Sequence, residues 1–130
     1  MDIVFLKLDE VLEIHQDQIE RYGGSAGIRD IGLLQSALAI PSASYGGQYL
    51  HTDIFEMAAA YLFHIVQGHP FIDGNKRVGA MSAFIFLSMN NIFISASESS
   101  FETLVFHIAK GKTEKSAIAK FFRQHSKSQS

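Results

Sequence analysis

The chain has 130 residues, a formal net charge of -2, 47 % hydrophobic and 18 % charged side chains, and no cysteine. A chain of this size and balance buries one sizeable core, so a single folded domain is expected over residues 1–125; a disordered polymer, disulfides and thiolate catalysis are excluded. The pI of about 6.3 speaks against a direct nucleic-acid partner. The longest apolar stretch, MAAAYLF at 57–63, is too short to span a bilayer, and no basic segment precedes an apolar run at the start, so no membrane partner is expected and a cytoplasmic location is the default.

In chain order, LDEVLEIHQDQIERYGG (8–24) predicts an amphipathic helix with Leu8, Leu12 and Ile19 near one face, Asp9 as its N-cap and Gly23–Gly24 as its stop. RDIGLLQSALAI (29–40) predicts a second helix, capped by Asp30 and ended by Pro41, with Arg29 and Asp30 reading as a cap and a surface pair. PSASYGGQYLHT (41–52) is rich in turn residues, and Gly46–Gly47 between tyrosines predicts a small hairpin or a plain connector. DIFEMAAAYLFHIVQ (53–67) is apolar on nearly every face, the pattern of a buried central helix, with Gly68 as its stop. A second core helix is expected from Asn75 to about Met89, followed by a short extended piece in NIFISA. Ser99 with Glu102 has the form of a capping box opening another helix, Thr113 is placed to cap the last one, and SKSQS (126–130) reads as a frayed, disordered tail. The class is mainly α, a compact bundle of five to seven helices with a possible small β-hairpin.

Between the two core helices lies HPFIDGNKR, residues 69–77. Backbone amides that open a helix lack intrahelical acceptors, so Gly74, Asn75 and Lys76 form an anion site suited to a phosphate. Gly74 lets the main chain approach such a ligand, while Lys76 and Arg77 add charge and donors. Asp73 would repel the same anion unless a divalent cation lay between them, and Mg²⁺ is commonly held by one or two carboxylates plus substrate phosphates. The pattern therefore points to a Mg-nucleotide. His69, an imidazole, suits general-base work near neutral pH. Pro70 is expected to hold it in extended backbone, and Phe71 to pin the turn to the core. Taken singly, Asp73 or Asn75 reads as a helix cap, and Lys76 and Arg77 as a solvated face. Their joint occurrence in order favours chemistry, whereas His15, His51, His64, His107 and His125 read as ordinary structural histidines.

HPFIDGNKR resembles the HxFx[D/E/A][G/A]N[G/K]R motif of the Fic/Doc superfamily, and EIHQDQIERYGGSAGIRDIGLLQSALAIPSASYGG is similar to the amino-terminal half of its death-on-curing (Doc) branch. The resemblance implies that His69 deprotonates a hydroxyl of a protein target, Asp73 holds Mg²⁺, and Gly74, Asn75, Lys76 and Arg77 hold the nucleotide phosphates. It implies a flap near Tyr45–Tyr49 that docks the target by strand addition. Lys76 and Ala80 depart from the GNGRxxR ending of adenylyl-transferring relatives: the lysine crowds a diphosphate, and the alanine removes an arginine clamp. That departure implies the Doc reaction, in which ATP serves as phosphoryl donor to a Ser/Thr hydroxyl of a translation factor such as an elongation factor. Nucleotidyl (AMP) transfer and a catalytically silent binding module stand as the alternatives. No glutamate precedes Gly or Asn, so the [S/T]xxxE[G/N] restraint of some relatives is missing, and the resemblance implies a toxin silenced by a cognate antitoxin.

Overall fold

The computed structural model describes residues 2–128. Six helices and four short strands follow in the order α1 (Leu8–Tyr22), α2 (Ile31–Ala39), β1 (Ser44–Tyr45), β2 (Gln48–Tyr49), α3 (Ile54–Gly68), α4 (Asn75–Met89), β3 (Ile92–Ile94), α5 (Glu98–Ala109), α6 (Lys115–Gln124) and β4 (Ser126–Ser128). The expected mainly α bundle with a small hairpin is therefore present. Among the described residues, no helix is long and apolar enough to cross a membrane.

Helix α3 forms the axis because its small and large apolar residues alternate on all sides. Met57, Ala58, Ala59, Tyr61, Leu62, Ile65 and Val66 are all buried, and α2, α4 and α6 pack around them. The approach of α3 to α4 depends on Gly79. A Cβ at this position would stand 2.9 Å from Val66 Cγ2 and 3.3 Å from the Leu62 carbonyl oxygen, so any larger residue forces the helices apart. Tyr61 lies at the centre, its hydroxyl accepting a hydrogen bond from the Leu6 N–H at 3.0 Å. Burial pushes the Tyr61 phenol up to about 12.

Helix α6 is fixed to α3 by Ile118, Ala119 and Phe122, all buried, and by polar contacts at its rim. Arg123 pairs with Asp53, the N-cap of α3, at 2.6 Å. Lys115 Nζ donates to His64 Nε2 at 3.0 Å and to His51 Nε2 at 3.3 Å. Both imidazoles are therefore neutral acceptors in this arrangement. Burial, then the neighbouring Lys115 charge, lowers His51 and brings His64 down to about 4.

Several boundaries differ from the sequence expectation. Helix α1 starts two residues earlier than an Asp9 cap would set it: Lys7 is the N-cap, and Glu10 Oε1 accepts the Lys7 N–H at 2.8 Å. Helix α5 is capped by Ser97, whose hydroxyl accepts from Ser100 N, not by Ser99; α6 is preceded by Glu114 instead of Thr113. Residues 126–128, expected as frayed tail, pair antiparallel with β3 in the register Ile92↔Ser128, Phe93↔Lys127, Ile94↔Ser126. The turn after α6 lays the chain beside an edge whose amides need acceptors, and pairing satisfies both. Residues 129 and 130 lie outside the described residues. The turn-rich 41–52 segment forms the hairpin: Ser44 faces Tyr49, and Tyr45 faces Gln48.

Candidate active site

Where α3 ends and α4 begins, residues 69–74 form a turn whose backbone is gripped from two sides. Helix α3 runs through Gly68, and His69 closes it in left-handed backbone, φ 51° and ψ 52°. The extended conformation expected before Pro70 does not occur. A helix end favours a left-handed residue at this point, and the α1–α2 connector holds it there. Arg29 Nε donates to the His69 carbonyl at 2.6 Å and Arg29 Nη2 to the Gly68 carbonyl at 2.8 Å. The Arg29 and Asp30 N–H groups both donate to the Pro70 carbonyl, at 2.8 and 3.0 Å, and Ile72 N–H donates to Gly27 at 3.2 Å. Ile28 and Phe71 thus form an antiparallel bridge.

From inside, Phe71 anchors the turn as expected. It is fully buried, and its ring stacks on His15 with centroids 4.0 Å apart and planes 8° from parallel. His15 Nε2 donates to the Asp73 carbonyl at 3.0 Å, so this histidine, read from sequence as merely structural, supports the turn directly.

Asn75 occupies the centre and is only 4 % exposed. Its Oδ1 accepts the Phe71 N–H at 3.0 Å, and its Nδ2 donates to the Phe71 carbonyl at 2.9 Å. These two contacts fix the orientation of the amide. The same Nδ2 lies 3.0 Å from His69 Nδ1, which therefore accepts, leaving the neutral imidazole protonated on Nε2. The Asn75 side chain is thereby engaged by the loop, while its backbone amide is one of the first N–H groups of α4 that lack an intrahelical acceptor.

Asp73 sits on the exposed rim. Its carboxylate accepts from Ser25 N–H at 3.1 Å and Gly74 N–H at 2.8 Å. Those two backbone donors, and then the Arg77 charge, hold it below the usual carboxylate range. A carboxylate has about four acceptor positions, so two remain for a cation. Among the described residues there is no group of three or more His, Cys, Asp or Glu side chains arranged to hold a metal. An ion bound by Asp73 would need further ligands from water or from a substrate, a requirement that Mg²⁺, usually held by only one or two carboxylates, would meet. The fit of Asp73 to its surroundings is tight: a Cβ on Gly24, whose φ is 118°, would stand 2.7 Å from Asp73 Oδ2.

Gly74 caps α4 in left-handed backbone, φ 82°, and the first amides of α4 open into a cavity of about 340 Å³ lined by His69, Asp73, Gly74, Asn75, Lys76 and Arg77, with Ile72 and Ala109 at its edges. All six predicted site residues therefore share one cavity. Arg77 is partly occupied elsewhere, since Nη2 donates to the Gly23 carbonyl at 3.0 Å and its guanidinium lies 5.6 Å from the Tyr22 ring. Lys76 is exposed and makes no hydrogen bond or ion pair among the described residues. A second, more apolar groove of about 410 Å³ begins at Lys76 and Arg77 and runs over Ala80, Phe101, Val105 and Phe106.

The sequence reading gave the connector residues Gly24, Ser25, Gly27 and Arg29 no part in supporting the site. The one clue was GGSAG at 23–27, three glycines in five positions; all three have positive φ.

This turn, held between two central helices, is the shared part of a known protein family. Residues 5–87 match the Fic/DOC family, and the chain belongs to it. It is 32 % identical over 116 residues to "Protein kinase doc" of Escherichia phage P1, a match covering 89 % of this chain and 90 % of the relative. It is also 36 % identical over 75 residues to "Toxin Doc" of Mycolicibacterium smegmatis, covering 58 % of each. Its likeness to named relatives therefore lies on the Doc side of the family.

Proposed function

We propose that this protein is a Doc-type toxin that transfers the γ-phosphoryl of Mg-ATP to a Ser/Thr hydroxyl of a translation factor, acts in the cytoplasm and is silenced by a cognate antitoxin. The observation that carries the reading is the convergence of His69, the ionised Asp73 carboxylate and the α4 amides on one cavity. Phosphoryl transfer asks chiefly for positioning and charge stabilisation, which such a cavity supplies. The relatives' names, "Protein kinase doc" and "Toxin Doc", support it.

In this reading the α4 amides and Lys76 bind the phosphates, and Arg77 adds charge from its anchored position. Asp73 would hold Mg²⁺, which would supply charge neutralisation for the phosphates. His69 receives the proton of the target hydroxyl. Because Asn75 occupies the Nδ1 lone pair, proton uptake is coupled to release of that contact or to tautomer exchange. The hairpin, with Tyr45 and Tyr49 exposed, offers a strand edge to the target, and the apolar groove beside Lys76 offers a seat for an antitoxin segment.

The test is incubation with cell extract and ATP labelled at the γ- or the α-phosphate. Label from the γ-position, lost in His69→Ala, is the expected result; transfer from the α-position alone supports nucleotidyl transfer instead. Mass spectrometry separates the two, at about 80 Da against about 329 Da added to the target. If saturating Mg-ATP leaves the melting temperature unchanged, the silent-module reading prevails, since a ligand of the folded state must stabilise it.

A further inference from the structure

The orientation of a side chain leaving the backbone is set by the two peptide planes that flank its Cα. For His69 those planes carry the carbonyls of Gly68 and His69, and both are hydrogen-bonded by one edge of the Arg29 guanidinium, at 2.8 and 2.6 Å. A rigid planar fork across two adjacent carbonyls fixes φ and ψ of the residue between them, which a single donor cannot do. The constraint is needed here because His69 is a non-glycine residue in left-handed backbone, immediately before a proline, where the steric preference is for extended backbone. The third carbonyl in the series, that of Pro70, is held by the Arg29 and Asp30 amides, so the positions flanking the histidine are anchored to one short segment.

We propose that Arg29 is the positioning residue for His69: its fork holds the histidine backbone in the left-handed state and so aims the imidazole into the cavity shared with Asp73 and the α4 amides. The inference rests on the reading of His69 as the proton acceptor, but its structural half is measurable without any activity. The guanidinium touches neither the phosphate site nor the cation position; Arg29 does not line the cavity.

The experiment compares Arg29→Ala, Arg29→Gln and Arg29→Lys with the wild type. The first readout is the ¹³Cα and ¹³Cβ shifts of His69, which report its backbone conformation, together with its ring ¹⁵N shifts, which report the tautomer. The second is the division of γ-phosphoryl transfer between kcat and KM for ATP. In Arg29→Ala the His69 shifts are expected to move toward extended values and kcat to fall about 10-fold or more, with KM for ATP and the Mg-ATP thermal shift within about 2-fold of wild type. Arg29→Lys keeps the charge without the fork and is expected to recover only a minor part of kcat. Wild-type His69 shifts in Arg29→Ala would overturn the proposal, as would a kcat loss matched by an equal loss of ATP affinity. If Arg29→Ala does not fold, Arg29→Gln and Arg29→Lys decide by the same readouts. Should the wild type transfer no phosphoryl group, the proposed function fails, while the His69 shifts still decide whether Arg29 sets the histidine.

Discussion

Asn75→Ala separates a loop-holding role from a ligand-holding one. The substitution removes an acceptor from the Phe71 N–H and a donor from the Phe71 carbonyl, 3.0 and 2.9 Å away, in a residue with no solvent exposure. Each buried group left without a partner costs about 1–3 kcal/mol, so the expected loss is about 2–6 kcal/mol. For a domain of this size 1 kcal/mol moves the melting temperature by about 4 °C, giving a drop of about 8–24 °C. Asn75→Asp keeps the acceptor but sets a carboxylate oxygen against the buried Phe71 carbonyl in place of a donor, so a drop at least as large is expected. The assay is a thermal melt followed by circular dichroism, without and with Mg-ATP. A melting temperature within about 3 °C of wild type, combined with lost nucleotide binding, would refute the reasoning, because it would place the Asn75 side chain on the ligand.

Gly79→Ala should lower stability by about 1–2 kcal/mol despite alanine's better helix propensity, since its Cβ meets Val66 Cγ2 at 2.9 Å; urea unfolding checks this. Gly24→Ala should displace the Asp73 carboxylate and reduce Mg²⁺-dependent transfer about 10-fold or more, measured by titrating the metal, while Gly46→Ala, which faces open space, leaves that dependence unchanged. His64, brought down to about 4 by burial and Lys115, makes stability depend on pH. The folded state disfavours its proton, so its contribution is complete above about pH 6.5 and is lost as pH falls toward 4. Discounted for its half-exposed position, the effect is about 1–2 kcal/mol, and the Tm difference between wild type and His64→Gln should shrink or reverse across that window.

The helices were legible because each carries a periodic apolar face bounded by a local stop. Asp30 and Asp53 cap where short polar side chains before apolar runs are expected to, and Gly23 ends α1. The candidate site residues could be named as a set because they are contiguous in HPFIDGNKR, and the turn brings all of them to one cavity. Contacts between distant segments were not legible. Arg29 reads locally as a surface cation, and only the fold shows that its carbonyl partners lie 39 and 40 positions away. Asn75 reads as a phosphate ligand from its place at a helix start, but a buried amide facing a backbone N–H and C=O of the same residue pairs with those first. Pro70 gives the wrong backbone for His69 because its steric preference is weaker than the combined demand of the helix end and the Arg29 fork. Ser126–Ser128 carry no strand propensity of their own, and their pairing follows from the unpaired edge of β3.

The two ends of α4 perform separable tasks. Its first turn opens the cavity, whereas beyond its last turn Asn90 exchanges hydrogen bonds with both the N–H and C=O of Val4, and β3 holds residues 126–128. Fifteen residues of helix place about 22 Å between these poles. Fluorophores attached near Val4 and Lys127 would therefore report the closure of the fold through energy transfer, while leaving the cavity at the other pole unencumbered. Unfolding and ligand uptake could then be followed independently in a single molecule.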